Sequence, residues 1–235
     1  MAESVFITGA DKGLGFSLTQ AFMRAGWRVF VGQYDTGTNL ETLGDQSPSM
    51  LTVVPLDVTD IASVRAAAEA VTAHASSLDV LINNAGIFLS GTDAPLEDLN
   101  FENGHFERTM DVNAFGPLRV TQSFLPLLSR GDRKRIINIS SEAGSIADCR
   151  RRSRFAYCMS KTALNMQCRI LQNHLGPQGF TVLAVHPGWM RTDMGGPSAD
   201  IHPDEAAAGI FRLATGEQAP DDPMYVDYQG NTLPW

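Results

Sequence analysis

Tyr157 and Lys161, four residues apart in the run Tyr157-Cys158-Met159-Ser160-Lys161, are the side chains in this sequence best placed to do chemistry. On a helix they share one face. An ammonium beside a phenol favours the phenolate and lowers a pKa that is ordinarily near ~10. The phenol then becomes a proton donor and acceptor nearer neutral pH. The pair alone occurs by chance in many helices. Far upstream, however, lies a glycine-rich turn, Thr8-Gly9-Ala10-Asp11-Lys12-Gly13-Leu14-Gly15. Glycines permit positive φ and close backbone approach, and a helix opening there offers free N–H groups and a positive dipole end to a pyrophosphate. The spacing of Gly9, Gly13 and Gly15 departs from the commoner G-x-G-x-x-G. The turn and the Tyr/Lys pair, in that order, are a far stronger signal than either alone.

Short apolar runs alternating with helical patterns must position these groups. Strands are expected at Val5–Thr8, Arg28–Val31, Leu51–Pro55, Val80–Ile82, Arg135–Ile139 and Thr181–Val185, with a short edge strand at Met224–Val226. Helices are expected at Phe16–Ala25, capped by Gly26, at Ile61–Ala75, Tyr157–Leu175 and Pro203–Leu213, and as one long helix over Phe106–Leu128 with Pro117 and Pro126 as kink or end points. The polar stretches 35–49, 90–104 and 143–154 read as loops. Continuous apolar strands alternating with helices predict an α/β fold, a doubly wound parallel sheet in one domain, with a crevice at the C-terminal ends of the strands.

Composition limits the partners. The chain has 235 residues, 43% apolar and 19% charged, with a net charge of −8. That charge disfavours nucleic acid and anionic membrane surfaces. No run approaches the ~18 apolar residues of a membrane span, and the N-terminus lacks the pattern of a signal peptide. Cys149, Cys158 and Cys168 form neither a CxxC nor an even set, which suits reduced thiols in a cytoplasmic protein. No His/Cys spacing suggests a metal site.

Asn83-Asn84-Ala85-Gly86 after the fourth strand, Asn113 in Asp111-Val112-Asn113-Ala114, Ser140-Ser141 after the fifth and Pro187-Gly188 after the sixth join the glycine turn and Tyr157/Lys161. Six motifs in this order resemble the compact short-chain dehydrogenase/reductase family, over essentially the whole chain. The short C-terminus and the run from His186 to Met194 are most similar to its carbonyl-reductase, C-factor and sniffer-like group. The resemblance implies an oxidoreductase moving a hydride between a nicotinamide cofactor and a carbonyl or alcohol. A non-catalytic nucleotide sensor on the same fold is the alternative; sensors of this kind often lose the Tyr or the Lys, and both are present here.

By resemblance, Tyr157 donates the proton to the carbonyl, Lys161 lowers the Tyr157 pKa and bonds the nicotinamide ribose, and Ser141 hydrogen-bonds the carbonyl oxygen. Ser141 is preferred to Ser140 because it begins the Ser-x-x-Gly step to Gly144. Asn113 holds a water behind Lys161. The turn residues Gly9, Asp11, Lys12, Gly13, Leu14 and Gly15 face the cofactor. Asp57 and Val58 contact the adenine, while Asn83, Ala85 and Gly86 flank its ribose, Asn83 also bracing the sheet. Pro187, Gly188, Met190 and Thr192 lie at the nicotinamide and pyrophosphate. A homodimer or homotetramer through the helices from Phe106 and Tyr157 is also implied.

Two departures stand out: sixteen residues separate Ser141 from Tyr157, more than is usual in the family, and Glu142 follows the serine. The cofactor expected is NADP(H), with NAD the alternative. An NAD reader would carry an acid at the end of the second strand, where Gln33 stands, with Asp35 two residues late; Lys12 is within reach of a 2′-phosphate. Arg150, Arg151, Arg152 and Arg154 form either a solvated basic loop or a patch that steers an anionic substrate.

Overall fold

The computed structural model describes residues 3–35, 38–89, 91, 93–217 and 222–235. Strands β1 (Ser4–Thr8), β2 (Arg28–Gln33), β3 (Leu51–Pro55), β4 (Val80–Asn83), β5 (Arg135–Ile139), β6 (Thr181–His186) and β7 (Tyr225–Asp227) form one sheet in the order β3-β2-β1-β4-β5-β6-β7. Every neighbouring pair is parallel. The helices are α1 (Gly13–Arg24), α2 (Thr38–Gln46), α3 (Ile61–Thr72), α4 (His105–Met110), α5 (Gly116–Leu128), α6 (Phe155–Leu175) and α7 (Pro203–Thr215). The chain winds outward from β1 to β3 and then from β4 to β7. The reversal between β1 and β4 opens a crevice at their C-terminal ends, where ligands bind in such sheets.

The central strands β1, β4 and β5 are buried along their full length, as a sheet covered on both faces requires. Alternate side chains then feed two cores. Phe6, Phe30, Leu81, Ile136 and Val182 pack on the side of α3, α5 and α6, where the rings of Phe6 and Phe124 stack at 4.1 Å. Val5, Ile7, Val29, Ile82 and Val185 pack on the side of α1 and α7. Trp27 and Phe211 both meet Phe22 edge-on there. Asp60 caps α3, accepting from the Ala62 N–H at 2.9 Å. Exposed apolar side chains, among them Leu118, Met166 and Ile170, lie on α5 and α6.

Three expectations need correction. The stretch 35–49 contains α2, whose short apolar face, with buried Leu40, covers the edge of the sheet; positions 36–37 of that stretch, and 90 and 92 of the stretch 90–104, lie outside the described residues. The single helix expected over Phe106–Leu128 is instead α4 and α5 joined by a π-helical turn, Asp111–Phe115. Pro126 lies inside α5 without ending it, and Pro117 follows directly on the π-helical turn, at the junction where α5 begins. The edge strand begins at Tyr225, one residue late. Among the described residues no helix is long and apolar enough to cross a membrane.

Candidate active site

The glycine turn is built by contact with β4. Thr8 Oγ1 accepts from the Asn84 and Ala85 N–H groups, both at 3.0 Å, and Asn84 Nδ2 donates to the carbonyls of Thr8 (2.9 Å) and Gly9 (2.8 Å). Gly9 has φ +63°, and a Cβ there would lie 2.9 Å from Ala85 Cα. A Cβ on Gly15 would lie 2.2 Å from Gly9 O. Both glycines are therefore required by the closeness of turn and strand. α1 starts at Gly13 and aims its free N–H groups into a cleft of about 680 Å³.

That cleft runs from Asp11, Lys12 and Asp57 at one end to Tyr157, Lys161 and Pro187 at the other. The residues expected at a cofactor all line it except Gln33, Asn83 and Gly188. Gln33 is still in register within the sheet, opposite Pro55, so the next residues, Tyr34 and Asp35, turn into the cleft instead. Asn83 is buried beneath it and donates to Asn138 Oδ1 (2.9 Å) and Thr121 Oγ1 (3.1 Å), so it braces the sheet and leaves the cleft to Asn84. Gly188, at φ +81°, turns the chain against Ile201 and Tyr228, where a Cβ would lie 2.6 Å from Ile201 Cδ1.

At the other end, four expected groups come together. Lys161 is buried on α6 and donates from Nζ to the Ile139 carbonyl at 2.8 Å. Nζ lies 5.7 Å from the centre of the Tyr157 ring. Ser141 Oγ accepts from the Ala143 N–H at 3.2 Å, and its hydroxyl lies near enough to the Tyr157 phenol to favour the phenolate. Ser140 donates to Asn165 Oδ1 of α6 at 2.6 Å, and Ser140 rather than Ser141 is among the residues that line the cleft. Asn113 is fully buried in the π-helical turn. It accepts from the Ile87 N–H (2.8 Å) and donates to the Ile87 carbonyl (2.9 Å) and to Ser160 Oγ (3.1 Å). A Cβ on Gly86 would sit 3.4 Å from Asn113 Oδ1 and 3.7 Å from Lys161 Nζ, so both groups converge behind that glycine.

The expected electrostatics need revision. Burial pushes the Tyr157 phenol above its ordinary value, and the nearby Ser141 hydroxyl only partly offsets this. Burial also brings the Lys161 ammonium down to about 8. Desolvation of each group outweighs the phenol–ammonium attraction that the sequence suggests.

The arginine loop is divided. Arg151 pairs with Glu142, which accounts for the acid after Ser141. Arg154, at φ +66° ahead of α6, lays its guanidinium 5.3 Å from the centre of the Phe88 ring, and Phe88 in turn meets Tyr157 edge-on at 5.4 Å. Tyr225, buried on β7, donates to the Ser141 carbonyl at 2.5 Å and stacks on Trp235 at 5.2 Å. Sequence reasoning missed Phe88, Tyr225 and Arg108. Arg108 lies one helical turn before Val112, and both line the cleft.

A sequence model of the short chain dehydrogenase family matches residues 3–201. The C-signal protein of Myxococcus xanthus is 41% identical over 158 residues, 67% of this chain and 93% of that protein. An NADPH-bound carbonyl reductase from chicken fatty liver superposes with a TM-score of 0.89 and 32% identity over 100% of this chain and 99% of that one. The carbonyl reductase Sniffer of D. melanogaster gives 0.92 and 26% over 100% of both. The match over residues 3–201 contains the glycine turn and the Tyr157–Lys161 face, and the sheet order around them is shared with those structures along the whole chain. This protein belongs to the short-chain dehydrogenase/reductase family of nicotinamide-dependent oxidoreductases.

Proposed function

We propose that this protein reduces a ketone or aldehyde to the alcohol with NADPH. One observation carries the reading: Tyr157, with Lys161 Nζ 5.7 Å from the centre of its ring, lies in the same cleft as the glycine turn. Carbonyl reductases among its structural relatives, one of them with NADPH bound, support it.

The cleft suits a dinucleotide. Gly13 has φ +55°, and a Cβ there would lie 3.2 Å from Thr192 Cγ2, narrowing the space over the N-terminus of α1. In this reading the α1 N–H groups hold the pyrophosphate, Asp57 and Val58 border the adenine, and Lys161 bonds the nicotinamide ribose. The bound cofactor supplies the hydride. Ser141 donates a hydrogen bond to the carbonyl oxygen, which strengthens as negative charge develops there, and Tyr157 delivers the proton. Asn113 fixes the turn at Ile87, and so the floor under Lys161. Phe88, Leu89, Met190 and Met194 give the substrate end an apolar wall.

The test is a panel of ketones and aldehydes with NADPH and with NADH, followed by the absorbance of the reduced nicotinamide. Turnover with higher kcat/KM for NADPH is expected. No turnover of any carbonyl would overturn the reaction; a clear NADH preference would overturn the cofactor and point to Asp35.

Tyr225 is expected to position Ser141. In Tyr225→Phe the ring still stacks on Trp235, but the buried Ser141 carbonyl loses its donor, at a cost of about 1–3 kcal/mol. The expected result is a lower kcat with cofactor Kd unchanged. Equal losses in cofactor binding and turnover would show a general packing defect instead.

A further inference from the structure

We infer that Arg108, on α4, is the residue that reads the 2′-phosphate of the cofactor's adenosine ribose. This rests on the NADP(H) reading above and names the group that would enforce it. In doubly wound sheets the residues just after the second strand read that ribose. Here residues 33–37 contain no Lys or Arg, so the cation must come from another element.

Arg108 reaches that place from across the cleft. Its Nη2 donates to Tyr34 Oη at 3.4 Å and its Nη1 to Thr59 Oγ1 at 3.1 Å. The guanidinium therefore bridges the loops that follow β2 and β3, on the wall shared with Tyr34, Asp35 and Asp57. The other cations on the cleft are engaged. Lys12 Nζ is paired with Asp193 at 2.9 Å. Arg191 donates to the carbonyls of Ala199 (2.9 Å) and Asp200 (3.2 Å). Among the described residues Arg108 hydrogen-bonds two neutral hydroxyl oxygens and forms no ion pair with a carboxylate. A phosphate suits the planar fork of a guanidinium. It also needs such a charge here, because Asp11 and Asp35 share the rim. Tyr34, with its hydroxyl on Arg108, holds the fork over the end of β2.

The test measures binding of adenosine 2′,5′-bisphosphate and adenosine 5′-monophosphate, which differ only in the 2′-phosphate. Calorimetry is run on wild type, Arg108→Gln, Arg108→Lys and Lys12→Gln. Wild type is expected to prefer the bisphosphate. Arg108→Gln should weaken the bisphosphate by about tenfold or more and leave the monophosphate nearly unchanged, with Arg108→Lys recovering only part of the loss. Three results overturn the inference. Equal loss for both ligands would mean that Arg108 lies against the adenine. Loss of preference in Lys12→Gln but not in Arg108→Gln would make Lys12 the reader and leave the NADP(H) reading intact. A wild type that does not discriminate would remove that reading and this inference together.

Discussion

Tyr157→Phe is expected to bind NADPH almost as tightly as wild type and to lose about 10²- to 10⁴-fold in turnover, the range contributed by general acid–base catalysis. The substitution removes one oxygen from the cleft and leaves the edge-on contact with Phe88 in place. pH adds a second signature. Because burial raises the phenol pKa, Tyr157 keeps its proton at neutral pH, the form that carbonyl reduction needs. Alcohol oxidation needs the phenolate, so its rate should rise with pH through the alkaline range while reduction falls. Pre-steady-state and steady-state rates in both directions check this. A Phe variant with near wild-type turnover would take Tyr157 out of the reaction.

The parts of the fold legible in the sequence were those written in continuous apolar runs or in glycine spacing. β5 begins and ends where its apolar run does, because a strand buried on both faces has no polar side to blur its ends. The glycine turn was legible because Gly9 and Gly15 leave no room for a Cβ. The preference for Ser141 over Ser140 rested on the spacing to Gly144 alone; in the structure the Ser140 hydroxyl is held by Asn165 of α6 and the Ser141 hydroxyl by the Ala143 N–H.

What was missed depends on tertiary context. The π-helical turn at Asp111–Phe115 leaves no mark in the apolar periodicity; it is held by the two-way pairing of Asn113 with Ile87, a residue 26 positions away in the chain. Gln33, Asn83 and Gly188 are each one residue from positions that line the cleft, Tyr34, Asn84 and Pro187. At strand ends a single step decides which face a side chain takes, and motif spacing does not resolve it. Arg108 was invisible for a different reason, since its partners Tyr34 and Thr59 belong to the loops after two other strands. The phenol pKa was misjudged because helical spacing reports the neighbouring ammonium but not the loss of solvent around both groups.

Lys161→Met should separate stability from activity. Wild-type Lys161 titrates at about 8 when folded, against 10.5 when unfolded, because the ammonium is desolvated. Below about pH 8 both states are protonated, and folding carries the full cost of burying the charge. Between about 8 and 10.5 the folded state has released its proton while the unfolded chain keeps it, so wild-type stability rises with pH. The gap corresponds to about 3 kcal/mol. The Met variant has no such titration, so the stability of wild type relative to the variant should grow by about that amount from pH 7.5 to 10.5. At neutral pH the variant should remain folded: it loses the hydrogen bond to the Ile139 carbonyl, about 1–3 kcal/mol, but also the burial of the charge. Its cofactor Kd should rise and its turnover should fall steeply, since a thioether can neither bond the ribose hydroxyls nor favour ionisation of the phenol. Urea unfolding of both proteins across this pH range, with cofactor titration at neutral pH, tests both halves. A stability difference that stays flat with pH would mean that Lys161 is not buried as a charge. A variant that retained cofactor affinity and turnover would mean that it takes no part in the site.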